Sequence, residues 1–174
     1  MKKILTLLLL CLPMAVCLAQ SEKRNSVGVS FITLPFSSKY IFGEYEFFLS
    51  DHAALAARVG YFEYIDDSED YEETGSGLGW GATFRWYFGN KPMQGFLVGA
   101  GFEFFKYEWE SDDGGYGSAF EVAPHGQVGY RFNFGNVVYL TPSVVVGPTI
   151  SIATDLDSDA SLFAMPVLVI GVRF

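Results

Sequence analysis

The chain has 174 residues, with 11 Lys and Arg against 20 Asp and Glu, a formal net charge of −9. That length fits one domain, and so acidic a balance lacks the basic, phosphate-neutralising surface that a nucleic-acid partner requires. Aromatics are abundant, at 17 Phe, 10 Tyr and 3 Trp, yet no segment after residue 20 is an apolar run long enough for a membrane-spanning helix.

The first residues have the form of a secretory signal. Lys2 and Lys3 precede an apolar run from Ile4 to Val16, and Cys17-Leu18-Ala19 places small residues at −3 and −1 of a cut before Gln20. The run is too short to span a bilayer, so residues 1–19 are expected to be removed and residues 20–174 to form the exported domain. A retained anchor is disfavoured by Pro13, and a lipoprotein cut at Cys17 by Val16, which stands where a small residue is wanted. Both cysteines, Cys11 and Cys17, lie in the signal, so the mature chain has no disulfide, thiol catalysis or Cys-ligated metal. Without Lys2 and Lys3 it carries 9 basic and 20 acidic residues, a net of −11.

Period-two alternation bounded by turn residues predicts eight strands, near 26–34, 39–49, 53–65, 77–88, 94–109, 118–134, 137–152 and 161–174. Most are long enough to cross a bilayer at a tilt. The second, fourth and sixth connections are short: Ser50-Asp51-His52, then Gly89 to Met93, then Gly135-Asn136. The third, fifth and seventh are longer and acidic: Asp66 to Ser76, Glu110 to Gly117, and Ala153 to Ala160. The first, near Pro35 to Ser38, is short but falls on the long-loop side. Alternating periplasmic turns and extracellular loops, with an even strand count, are the pattern of a transmembrane β-barrel. In lipid every backbone polar group must be paired, so without spanning helices only a closed barrel serves.

The distribution of charge decides which face meets lipid. From Leu78 onward the even positions of the last five strands, taken as far as Phe104 in the fifth, such as Trp80, Phe84, Phe102, Val128, Val144 and Ile170, include no charged residue. The opposite face holds Arg85, Glu103, Glu121, His125, Gln127, Arg131, Asn133 and Arg173, and the same logic puts Glu44, Glu46 and Arg58 there. A charge on the lipid face near the midplane costs roughly 2–4 kcal/mol, so this partition is a physical requirement. A soluble lipocalin-like barrel would show the reverse. Phe47, Trp86, Phe88, Phe132, Phe134 and Phe174 at one end, and Tyr61, Phe104 and Phe120 at the other, read as interfacial girdles.

The lumen then holds Glu44, Glu46, Glu103 and Glu121 against Arg58, Arg85, Arg131 and Arg173, a neutral set. An eight-stranded barrel is only wide enough to be filled by side chains, and buried charges must pair, so a plugged interior is expected over an open pore. His125 near Glu121 raises general-base chemistry, but no serine motif accompanies it, and a lumen His is more often a network member. Pro124, Pro142, Pro148 and Pro166 all fall inside strands six to eight, where proline cannot donate to the ladder. Bulges that curve the wall are one reading. The other is a lateral opening for an acyl chain, lined from strand eight by Phe163, Met165, Val167 and Val169. Asp155, Asp157 and Asp159 have the spacing that begins a calcium loop, without its Gly and closing Glu, so no metal site is assigned and no cofactor is expected.

The strand GLGWGATFRWYFG at 77–89, the ending VLVIGVRF at 167–174 and the Leu-Ala-Gln junction at 18–20 resemble small outer-membrane barrels of the OmpX and OmpA-transmembrane type, with a Bacteroidetes-type precursor start. The resemblance implies an all-β, closed, eight-stranded antiparallel up-and-down barrel in the outer membrane of a Gram-negative cell. It also implies a terminal Phe174 read by the barrel assembly machinery. Activity is not implied, because such families range from adhesive proteins to lipid-active enzymes. The expected role is structural or surface-interacting, as a monomer, with the acidic loops meeting lipopolysaccharide through divalent cations. The alternatives are a lateral conduit or binding site for small hydrophobic molecules and, behind it, a lipid-modifying enzyme.

Overall fold

The computed structural model describes residues 25–33, 39–68, 71–111, 116–153 and 161–174. The expected signal at residues 1–19, the first connection and the Asp155, Asp157, Asp159 cluster lie outside them. Eight strands follow in order: β1 (Asn25–Thr33), β2 (Lys39–Phe48), β3 (Ala53–Ser68), β4 (Tyr71–Tyr87), β5 (Gly95–Ser111), β6 (Tyr116–Phe134), β7 (Val138–Ala153) and β8 (Ser161–Arg173). Each pairs antiparallel with its successor, and β8 returns to β1, closing the barrel. No helix among the described residues is long and apolar enough to cross a membrane; backbone pairing is supplied between strands instead.

The alternation has the expected sense. Leu78, Trp80, Phe84, Trp86, Phe96, Phe102, Val128, Val144 and Ile170 all point outward and are exposed, while Arg85, Glu103, His125, Gln127 and Arg131 are buried inside. On the outer wall Trp80, Phe104 and Phe120 stack with centroids 6.0 and 6.1 Å apart, and Phe88 meets Phe96 at 5.8 Å at the other end. The eight residue-to-residue steps from Phe96 to Phe104 rise about 20 Å along the axis at ~3.3 Å per step and ~40° tilt, close to the height of a lipid-facing band. Beyond Phe104 the outward positions of β5 become Lys106 and Glu108, so the wall turns polar where the upper girdle ends.

Two of the expected loops are shorter than their sequence suggests. β3 and β4 remain in register through Asp66↔Glu73, Asp67↔Glu72 and Ser68↔Tyr71, so most of the segment 66–76 is ladder. β5 and β6 likewise pair Glu110 with Tyr116. Carboxylates mask a strand signal in the sequence, but above the bilayer they cost nothing to solvate, and the hairpin continues on backbone pairing with Thr74 and Tyr71 as good strand formers.

The short connections plug the barrel. Met93 takes φ 51°, the left-handed region that non-glycine residues seldom enter, and its side chain is 1% exposed. Its N–H donates to the Asp51 carbonyl at 3.0 Å, and Asn133 Nδ2 donates to its carbonyl at 3.2 Å. The backbone turn thereby drives Met93 up into the lumen, where it joins Phe48, Ala54, Tyr87 and Leu97 in an apolar layer. A second apolar layer, Tyr139, Val145, Met165, Val167 and Val169, lines the β7–β8 side.

Candidate functional site

Between these layers lies the ionic centre. Arg85 extends from β4 and grips Glu44 of β2 with both terminal nitrogens at 2.6 Å, reaches Glu46 at 3.2 Å, and donates Nε–H to Gln127 at 2.9 Å. This is a forked, charge-assisted contact of the strong kind. Arg131 of β6 meets the other oxygen of Glu46 at 2.6 Å, while Tyr87 and Ser26 hydroxyls donate to the same carboxylate at 2.7 and 3.0 Å. The Arg131 guanidinium also lies 4.2 Å from the Tyr139 ring and 5.0 Å from Tyr87. Two carboxylates and two guanidiniums thus form a neutral cluster whose ion-paired side chains have no exposed surface. Gln127 passes the network on to Ser143 at 2.9 Å, and Arg131 Nε to Thr141 at 3.1 Å.

Nearer the long-loop end, Arg58 of β3 and Glu103 of β5 form a second buried ion pair over Gly81 of the intervening β4. His125 sits beside Thr83, its Nε2 at 3.0 Å from the hydroxyl and its Nδ1 at 3.3 Å from the Ala123 carbonyl. A carbonyl can only accept, so Nδ1 carries the proton and Nε2 accepts from Thr83; both ring nitrogens are used. Glu121 is not its partner. Glu121 accepts from Tyr107 at 2.6 Å and from Ser151 at 3.4 Å instead, so the pair that general-base chemistry would need is not assembled.

Full acid–arginine pairing of the lumen therefore needs correcting at two positions. Glu121 is held by hydroxyls, and Arg173, among the described residues, has the Phe48 ring at 5.5 Å and no carboxylate. The physical reason is position along the axis. Each lies toward an end of the barrel and is partly exposed, whereas the six middle charges are buried.

Several residues escaped the reading of the sequence. Phe42, Phe62 and Phe105 turn inward above the Arg58–Glu103 pair, with Phe62 5.7 Å from Phe105 and 5.4 Å from Tyr40. They fit because β4 presents glycines inward at 77, 79 and 81; a Cβ on Gly79 would stand 2.8 Å from Phe42 and 3.1 Å from Phe105. The alternating glycines of GSGLGWG were the available signal, since a glycine within a strand marks a close approach.

The prolines fall where expected on the outer wall, and their effects differ. β7 and β8 stay in unbroken register from Val138↔Val172 to Thr149↔Ser161, past Pro142, Pro148 and Pro166. β6 and β7 lose pairing twice, between Val122↔Ile150 and Gly126↔Val146, where Pro124 faces Pro148, and between Gly129↔Ser143 and Phe132↔Leu140, beside Pro142. At the first gap a Cβ on Gly147 would overlap the Pro124 carbonyl, so the strands still touch. Outside that seam lies a shallow hollow of about 610 Å3 bordered by Ala82, Phe84, Ala100, Phe102, Pro124 and Pro148.

Compared with known proteins, the chain matches no family model and no curated protein. Among solved structures it is similar to the N-terminal β-barrel domain of Pseudomonas aeruginosa OprF. That match has TM-score 0.58 and 17% identity, covering 89% of this chain and 100% of the other. It is also similar to Ail, the attachment invasion locus protein of Yersinia pestis, with TM-score 0.53 and 12% identity, covering 86% and 96%. What they share is the fold. The chain is a closed eight-stranded antiparallel barrel of the kind those two proteins adopt, and its apolar outer band and ionic interior are consistent with a transmembrane one.

Proposed function

We propose that this protein is a monomeric barrel of the Gram-negative outer membrane with a structural or surface-interaction role, exerted at its ends while the lumen stays shut. The observation that carries this reading is the Arg85–Glu44–Glu46–Arg131 cluster, which fills the barrel cross-section with fully buried ion pairs. Met93 closes the lumen below it and the Phe42–Phe62–Phe105 layer packs above it. The long-loop end, which topology assigns to the cell exterior, carries the acidic runs that would meet divalent cations, lipopolysaccharide phosphates or a protein partner. Phe174 is assigned as the signal for the barrel assembly machinery. No chemistry is assigned to His125, whose ring nitrogens are both occupied. The test is planar-bilayer recording of the purified protein: the bilayer should remain silent in molar salt. Steady single-channel currents would overturn the closed-lumen reading.

A second reading is favoured by one observation, the hollow over the Pro124–Pro148 gap. Its small residues, Ala82, Ala100 and Gly126, are flanked by Phe84, Phe102 and the two prolines, a shape suited to one acyl chain lying on the outer wall. Because Gly147 keeps β6 and β7 in contact, this would be a seat and not a conduit.

A further inference from the structure

We infer that the short-turn mouth of the barrel is a binding site for the carboxyl terminus of a peptide. The inference rests on the barrel fold and its side chains, and not on the role proposed for the loops. A cavity of about 500 Å3 opens there, bordered by Lys91, Gln94, Asn133, Asn136 and Arg173, with no carboxylate in its lining. That volume falls within the ~300–1,000 Å3 of small-ligand sites.

The charges explain why it is incomplete. Every other arginine of the lumen has a carboxylate: Arg58 has Glu103, Arg85 has Glu44 and Glu46, and Arg131 has Glu46. Arg173 has the Phe48 ring at 5.5 Å, and its Nε–H is buried without an acceptor. Lys91, exposed on the neighbouring turn, adds a second positive charge at the same cavity. A guanidinium fork beside an ammonium is a carboxylate or phosphate receptor, and each charge-assisted hydrogen bond it makes is about twice as strong as a neutral one.

Asn133 distinguishes between those anions. Its Nδ2 is committed to the Met93 carbonyl at 3.2 Å, which leaves Oδ1 of this cavity-lining residue as a buried acceptor with no donor. Sulfate or a phosphomonoester dianion offers only acceptors and would leave Oδ1 unsatisfied. The last residue of a peptide offers a carboxylate for Arg173 and Lys91 and, a few ångströms away, an amide N–H for Asn133. The two unmet needs of the cavity, an acceptor group for Arg173 and a donor for Asn133, are thus met by one small moiety. Leaving such groups unpaired in a buried site is costly, so their pairing selects the ligand.

The test uses the full mature chain in detergent micelles, followed by NMR of its backbone and side-chain amides. N-acetyl-alanyl-alanine with a free carboxylate should give saturable shifts at Asn133, Gln94 and Asn136, weakening as salt is raised. Its C-terminal amide should give none. Lys91→Gln and Arg173→Gln should each weaken binding about tenfold or more, the loss of one charge-assisted contact. If Arg173→Gln fails to assemble, Lys91→Gln, in an exposed turn, still tests the site. No saturable shift with the free-carboxylate peptide would overturn the proposal. So would equal affinity for sulfate, which has no donor, without a shift at Asn133, which would mark a simple oxyanion site.

Discussion

Replacing Arg85 by Met tests what holds the lumen together. Met keeps an apolar side chain of useful length but removes every donor. Glu44 then loses two contacts of 2.6 Å, Glu46 one of 3.2 Å and Gln127 one of 2.9 Å. Glu46 retains Arg131 at 2.6 Å, whereas Glu44, only 1% exposed, keeps no cation among the described residues. An uncompensated buried carboxylate of this kind costs about 3–5 kcal/mol when its partner is removed. The double variant Arg85→Met/Glu44→Met restores neutrality, leaving one carboxylate against one guanidinium, and should recover most of the loss. Urea unfolding in lipid vesicles, followed by fluorescence of Trp80, Trp86 and Trp109, measures both variants against the parent. A single variant that loses under about 1 kcal/mol, or a double variant as unstable as the single, would refute the argument that charge pairing closes the lumen.

Two further substitutions probe the wall. Ala100→Arg places a charge in the outward row Phe84–Ala100–Gly126, near the middle of the apolar band, and should cost roughly 2–4 kcal/mol in the same vesicle assay. Asn90→Arg, in an exposed turn, should change stability by under about 0.5 kcal/mol, and equal effects from the two would sink the assignment of the lipid face. Gly79→Leu forces a Cβ to within 2.8 Å of Phe42 and should destabilise by about 1–3 kcal/mol through overpacking, with Phe42→Ala in the same chain recovering part of it. A neutral Gly79→Leu would mean the rings are not packed on β4.

The wall was legible in the sequence because a barrel in lipid enforces alternation at every strand: one misplaced charge among Leu78, Trp80 and Phe84 would have been prohibitive. The lumen was legible only by sign. Parity placed Glu44, Arg85 and Arg131 together inside, but which acid meets which arginine depends on the stagger between strands, which no local pattern records. Glu121 and Arg173 show the limit, since their fate depends on height along the axis. Met93 was hidden for another reason: a turn residue enters the core through a left-handed backbone, and composition gives no sign of it. The extension of β3 and β4 past Asp66 was masked by its carboxylates, whose strand preference is poor in a soluble sheet and immaterial in a hairpin above the membrane.

The barrel wall is not stitched equally all round. Among the described residues β3 and β4 share sixteen register pairs, while the seam that joins the two ends of the chain, β1 to β8, has six, from Ser26↔Arg173 to Phe31↔Leu168, extended by the backbone exchange between Asn25 and Phe174. That seam also unites the residues farthest apart in the chain, so its closure carries the largest entropy cost and the fewest bonds to offset it. Assembly should thus proceed by neighbouring hairpins, with the cylinder sealed last along its briefest join. The same line is where a pulled or heated barrel would first unzip.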